Sequence, residues 1–282
     1  MLSPLSVTLS PEEYMRGCCD RPWEWAIRPF RVTPHVYYVS GNTWVGCYLF
    51  DTGDGLILLD TAMQPSLYML LSSIDALGYH PKDIKTILLS HAHYDHCGGA
   101  KGMQELTGAK TYLGERDLEF MEHPELIYPD RYPYNRFNVD ELYRDDKPIQ
   151  QGRFTIHTLS TPGHTPGCTS FFFEDTDERT NRTYRCAMHG GVGLNTLADD
   201  YFITTGQPVT LRREYRESII KCSRYQVDIA IGSHPNQTNM LEHLKKNSGC
   251  EYPQYDQDAW MKMIRFRLSQ LTGIESESKL EF

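Results

Sequence analysis

The run His91-Ala92-His93-Tyr94-Asp95-His96 follows directly on the apolar segment Thr86-Ile87-Leu88-Leu89-Ser90. Three imidazoles and a carboxylate therefore sit on what reads as the loop leaving a buried strand. Imidazole nitrogen and carboxylate oxygen are donors that zinc and similar divalent ions take. Residues two apart on extended backbone point the same way, so His91 and His93 share a face. Asp95 and His96 follow the bend and can face a second ion. The pattern asks for a fold that delivers a buried strand to a loop crowded with metal donors.

The surrounding sequence supplies strands and helices in alternation. Val36–Val39, Gly46–Phe50 and Gly55–Asp60 read as three short strands, with Asp51–Gly55 as the hairpin turn joining the last two. Leu67, Leu70, Leu71, Ile74 and Leu77 recur at helical spacing over 65–78, and Gly78 stops that helix. A strand over 85–90, a helix over 99–107 and a strand over 110–113 follow. The stretch 121–150 breaks the pattern with Pro124, Pro129, Pro133 and Pro148 among tyrosines and charges, so it reads as a loop or lid. Strands are expected at 154–159 and 169–173, a helix at 211–224, a strand at 227–232 and a last helix near 257–271. The polar tail after Gly273 is expected to fray. Hairpins followed by alternating strand and helix predict an α/β sandwich.

Composition narrows the function classes. The chain has 282 residues, 40% of them hydrophobic and 23% charged, which fits a globular protein with a substantial core. A formal charge of −9 speaks against a nucleic-acid partner, which wants a basic face. No apolar run approaches the roughly 20 residues that cross a bilayer, so no membrane partner is expected. The segment Met1–Val7 lacks the basic and apolar regions of a signal peptide, which favours a cytoplasmic location. The eight cysteines form no CxxC pair. Cys97 and Cys168 lie near candidate donors, but both read as small buried hydrophobes.

Two more histidines stand at expected strand-to-loop junctions. His164 lies in the rigid turn Thr161-Pro162-Gly163-His164-Thr165-Pro166-Gly167, and His234 in Gly232-Ser233-His234-Pro235. With the upstream run they make six donors, enough for two ions with three protein ligands each. Three protein ligands leave a position open, which is the mark of a catalytic site.

The HxHxDH run, the TPGHTPG turn and the late His234 resemble the metallo-β-lactamase superfamily of two-metal hydrolases. Pro29–Val32, Gly55–Asp60, Ser90–His93, Thr161–Thr169 and Gly232–Pro235 look like the subclass-three metallo-β-lactamases, from about residue 20 to 245. The resemblance implies a four-layer αββα sandwich, taken as one domain over 1–282 with the C-terminal helix added to the core. It also implies two zinc ions, with iron or manganese as alternatives. His91, His93 and His164 would bind the first ion, and Asp95, His96 and His234 the second. Asp60 would steady the His loop from behind, and Asp95 would orient the nucleophile.

The implied reaction is attack of a metal-bound hydroxide on an activated carbonyl of a small molecule, opening a β-lactam ring. The alternative is a lactone, thioester or other ester on the same scaffold, and a third reading is a non-catalytic or di-iron redox protein. Thioesterase and lactonase branches carry a metal-bridging Asp between the TPGH turn and the last His. The stretch Cys186–Asn195 here has none, which sets the chain beside the lactamases. Subclass-three lactamases commonly carry serines there that contact the substrate carboxylate. Gly191 and Gly193 take those places, which puts lactam recognition in question. His189, Gly191, Gly193 and Asn195 are the candidate pocket residues. Asp199 and Asp200 come late and are expected in a loop.

Overall fold

The computed structural model describes residues 11–123, Leu126 and 135–280. The first sheet contains β1 (Phe30–Thr33), β2 (Val36–Tyr38), β3 (Tyr48–Asp51), β4 (Leu56–Leu59), β5 (Ile84–Leu88), β6 (Lys110–Leu113) and β7 (Glu141–Leu142), paired in that order. Its first four strands pair antiparallel, and β4 to β7 pair parallel. The change of direction is forced where a helix intervenes, because a parallel pair needs a crossover connection. α2 (Leu67–Ala76) makes that crossover between β4 and β5. The second sheet has the order β12 (Ile229–Gly232), β11 (Arg182–His189), β10 (Thr169–Asp177), β9 (Phe154–Ser160), β8 (Ile149–Gln151).

The two-residue period of the strands splits the apolar side chains into layers. Tyr48, Phe50, Ile57, Leu59 and Leu88 face inward and meet Phe154, Phe171, Phe173, Met188 and Ile231 between the sheets. Their neighbours Leu49, Leu58 and Ile87 face outward, against Leu70 and Ile74 of α2 and Met103 of α4 (Ala100–Thr107). On the far side, Ala187 and Ala230 pack under α7 (Leu211–Cys222) and α9 (Ala259–Glu277) through Tyr215, Ile219, Trp260, Met263 and Ile264. β4 is buried at all four positions because both of its faces are covered. The result is an αββα sandwich. Each fully buried Leu, Ile or Phe in these layers contributes about 1.5–3 kcal/mol by leaving water.

Several expectations need correction. The segment expected to fray after Gly273 is helical to Glu277. Ser278 and Lys279 beyond it are held by Asp199, whose Oδ1 accepts from the Ser278 hydroxyl at 2.7 Å and whose Oδ2 accepts from Lys279 N at 2.8 Å. Asp199 and Asp200 lie in the first turn of α6 (Asp199–Thr205), not in a loop. An acidic pair at a helix N-terminus complements its unpaired N–H groups. β11 continues Arg182–His189 through what was read only as an Asp-free connection. Part of 121–150 is ordered in strands, since β7 and β8 lie there, while residues 124, 125 and 127–134 of that stretch fall outside the described residues. The C-terminal helix packs on the outer face of the second sheet. Helices α1 (Pro11–Asp20), α5 (Arg116–Met121) and α8 (Met240–Lys246) and strand β1 were not anticipated as elements.

Candidate metal centre

The six candidate donors come from loops at one end of both sheets. β5 delivers His91 and His93, and the short helix α3 (Tyr94–Cys97) turns Asp95 and His96 back toward them. The turn between β9 and β10 carries His164, and His234 follows β12. Hydrogen bonds between these loops fix their relative positions. Thr169 N donates to Ser90 O at 2.9 Å, and Gly46 N donates to Ser233 O at 2.7 Å. Gly163 sits in the left-handed region at φ +143°, and a Cβ there would lie 2.4 Å from Tyr215 Cβ. Glycine is therefore required for the turn that presents His164.

Two groups of three donors result. His91, His93 and His164 form one, and Asp95, His96 and His234 the other, with the donor atoms of each group within 4.8 Å of one another. In the first group His93 Nδ1 lies 3.0 Å from His164 Nε2, and the His91 ring lies 4.8 Å from each of its partners. In the second, His96 Nε2 and His234 Nε2 are 3.3 Å apart, and Asp95 Oδ2 is 3.7 and 3.4 Å from them. The His91 and His96 ring centroids are 4.1 Å apart, so the two groups adjoin.

The partners on the outer sides of the rings settle which nitrogens face inward. His164 Nδ1 donates to Gly193 O at 3.0 Å, and His234 Nδ1 donates to Trp44 O at 2.7 Å. A carbonyl can only accept, so in the neutral ring each Nε2 carries the lone pair. His96 Nδ1 donates to Asp60 Oδ2 at 2.8 Å. The Ser90 hydroxyl gives its proton to the same oxygen at 2.8 Å and so accepts from His91 Nδ1 at 3.0 Å. Fixing a ring's tautomer from outside is how a metal-binding histidine is oriented.

Burial pushes His91 and His164 well below the ordinary histidine pKa and brings His93 down to about 4, so these rings are neutral bases. Asp95 is lowered as well, but by neighbouring charge. The surrounding histidines hold its carboxyl well below the usual range despite burial.

This arrangement fits divalent cations. His91 Nε2 is buried and has no hydrogen-bond partner. In the second group Asp95 Oδ2, His96 Nε2 and His234 Nε2 face one another within 4.8 Å, a donor set of the kind a divalent cation takes.

Asp60 lies against Ser90 and His96. It is fully buried, accepts from Ser90 N at 2.7 Å as well as from His96 and Ser90 Oγ, and occupies the left-handed region at φ +61°. Such a conformation in a residue other than glycine is kept only where the surroundings enforce it.

The pocket candidates divide. A Cβ on Gly191 would lie 2.4 Å from His164 Cδ2, and one on Gly193 2.8 Å from His164 Cε1 and from Asn195 Oδ1. These glycines let the backbone close on the imidazole. Asn195 is exposed at the start of the turn Asn195–Leu197. His189 joins neither donor group. It is buried, accepts from Gly191 N at 3.2 Å through Nδ1, and is driven down to about 3 by desolvation. Cys97 and Cys168 are buried thiols whose pKa values burial raises.

Three supporting residues escaped the sequence reading. Asp117 in α5 is fully buried and accepts from Ala92 N (2.8 Å), Thr165 Oγ1 (2.9 Å) and Gly167 N (2.6 Å), clamping the two loops that carry the first donor group. Thr196 donates to His164 O at 2.8 Å. Trp44 Nε1 donates to Asp95 Oδ2 at 2.9 Å. Nothing in local sequence marks them: Asp117 lies among charged residues, in Glu115-Arg116-Asp117-Leu118-Glu119.

The chain is similar to several known proteins. The family profile of the metallo-beta-lactamase superfamily matches residues 45–177. Over 92 residues the chain is 34% identical to Glyoxylase B2 of Dictyostelium discoideum, covering 32% of each protein. Over 157 residues it is 27% identical to the N-acyl homoserine lactonase of Bacillus thuringiensis, covering 47% of this chain and 59% of that one. The chain thus spans less than two thirds of the length of each of these two curated relatives. Its structure is similar to BJP-1, a subclass B3 metallo-beta-lactamase of Bradyrhizobium japonicum, with a TM-score of 0.81 and 27% identity over 91% of this chain and 97% of that one. With an αββα sandwich and two adjoining donor groups, the chain carries the profile of the metallo-beta-lactamase superfamily, a family of hydrolases, over residues 45–177 and is similar in structure to its subclass B3 members.

Proposed function

We propose that this protein is a hydrolase of small molecules with an activated carbonyl, working with two zinc ions. His91, His93 and His164 hold one ion, and Asp95, His96 and His234 the other. The observation that carries the proposal is the pair of adjoining three-donor groups whose rings are oriented from behind. Bound there, zinc supplies a Lewis acid and lowers the pKa of water. Asp95 stays ionised at neutral pH and can orient the attacking water and take its proton. The same carboxyl then returns the proton to the departing nitrogen or oxygen. Asp60 and Ser90 keep the rings from turning during that transfer, so the geometry needs no rearrangement as charge develops.

Opening of a β-lactam ring is the first substrate reading, supported by the likeness to BJP-1 over nearly the whole chain. Cleavage of a lactone, thioester or other ester is the second, and one observation favours it. At Gly191 a serine Cβ would collide with the His164 ring, so the hydroxyls that contact a substrate carboxylate in subclass-three enzymes have no place here.

The test is turnover of a chromogenic cephalosporin, a lactone and a thioester by zinc-loaded protein, with His91→Ala as control. Cleavage of any of them that is lost in the variant supports the hydrolase. Cephalosporin turnover selects the first reading, and lactone or thioester turnover alone selects the second. Two bound zinc ions with none of the three cleaved would overturn both.

A further inference from the structure

The two donor groups are supported by different residues, and two of the three donors of the second meet one residue, Trp44. Trp44 meets that group twice. Its indole N–H donates to Asp95 Oδ2 at 2.9 Å, and its backbone carbonyl accepts from His234 Nδ1 at 2.7 Å. Its ring also packs edge-on against His234, with centroids 5.1 Å apart. The oxygen that takes the indole proton is the one nearest the other donors, 3.4 Å from His234 Nε2 and 3.7 Å from His96 Nε2. A hydrogen bond to one lone pair of that oxygen fixes where its remaining lone pair points.

Trp44 is itself fixed. Its backbone N–H donates to Asn42 Oδ1 at 2.9 Å, and Asn42 O accepts from the buried Tyr38 hydroxyl at 2.6 Å. Tyr14 of α1 packs edge-on against both Trp44 (5.4 Å) and Trp25 (4.4 Å), with its hydroxyl 2.6 Å from Thr43 Oγ1. The aromatic wall thus runs from the N-terminal helix to Asp95. The first donor group is held by other residues, Asp117, Thr196, Ser90 and Gly193.

We infer that Trp44 is a positioning residue for the second metal alone: its indole N–H aims the Asp95 carboxylate and so sets the affinity of the Asp95–His96–His234 group without touching the first. The inference rests on the metal-ligand assignment proposed above. Partners of this kind tune metal affinity by about 10–100-fold when removed.

Trp44→Phe keeps an aromatic ring and the backbone carbonyl and removes the indole N–H. Zinc affinities are measured by competition with a chromogenic chelator, on purified wild type and variant, together with bound metal content. The expected result is two ions in the wild type, with the variant binding one at unchanged affinity and the other about 10–100-fold more weakly. Trp44→Gln, which restores an N–H donor, should recover part of that loss. Equal affinities at both groups in Trp44→Phe and wild type overturn the inference while leaving the ligand assignment intact. A wild type that binds fewer than two ions overturns the assignment itself. A measurement that needs no variant follows the indole N–H proton resonance of Trp44 during zinc addition. It should shift with the equivalent that fills the second group, and a resonance indifferent to that equivalent overturns the inference.

Discussion

The two donor groups lie side by side but are built on different foundations. Behind His91, His93 and His164 stands polar, buried scaffold: Asp117 is fully buried and ties Ala92 to Thr165 and Gly167 through three accepted hydrogen bonds. The second group has one buried support in Asp60, and its other support is half-buried Trp44 on an aromatic wall. A buried carboxylate that satisfies backbone N–H groups belongs to the fold as much as to the site, because losing it strands those donors. An aromatic donor near the surface can be changed with less harm to folding. The first group should therefore be inseparable from stability, and the second adjustable.

Asp117→Ala should break this division most severely. It leaves two buried backbone N–H groups without their acceptor, at about 1–3 kcal/mol each. Denaturant unfolding of the metal-free protein should show a loss of about 2–4 kcal/mol. An unchanged midpoint would mean that the clamp is dispensable and the two groups are not differently founded. Metal removal is the next largest effect. A chelator should lower the thermal midpoint, since free ion at a hundred times its Kd stabilises the folded state by about 2.7 kcal/mol. Addition of zinc should restore the midpoint, and Asp117→Ala should recover less than wild type.

Gly191→Ala probes the first group from its other side. With a Cβ 2.4 Å from His164 Cδ2, the ring must move, and overpacking of this kind costs about 1–3 kcal/mol. Weaker zinc binding at the first group, with the second unaltered, would sharpen the contrast; wild-type binding would show that His164 has room. The smallest effect belongs to neither group and serves as the reference. Asp199, hydrogen-bonded by Arg212, Lys279 and Ser278, has its carboxyl lowered to about 2. The folded-state pKa is below the unfolded one, so its stabilisation is present above the ordinary carboxylate pKa and disappears as pH falls toward about 2. Asp199→Asn should flatten that part of the acid unfolding curve and leave zinc binding alone.

Much of this was legible in the chain. Short, nearly continuous apolar runs at β3, β4 and β5, bounded by turn residues, announced strands covered on both faces. The donors were legible because histidine and aspartate packed into HxHxDH have few structural uses. β11 was harder to see. Arg182-Thr183-Tyr184-Arg185-Cys186-Ala187-Met188-His189 has a polar start, and its burial depends on covering helices that come later in the chain. The C-terminal end was misread for a related reason. Its polar residues look frayed until Arg212, itself fully buried, and Asp199 are brought to meet Ser278 from far away in sequence.

What the sequence determined by itself is the inventory: strands by their periodicity, turns by glycine and proline, and six donors by residue type and spacing. Those are local properties, fixed by backbone geometry and side-chain chemistry over a few residues. Only the tertiary structure decided which nitrogen of each ring faces inward, and that Asp117 and Trp44 stand behind different halves of the site. His234 Nδ1 lies 190 positions from the carbonyl it meets, and Asp117 lies 48 from Thr165. Contacts across such distances follow from how two sheets pack, and no local rule of spacing encodes them.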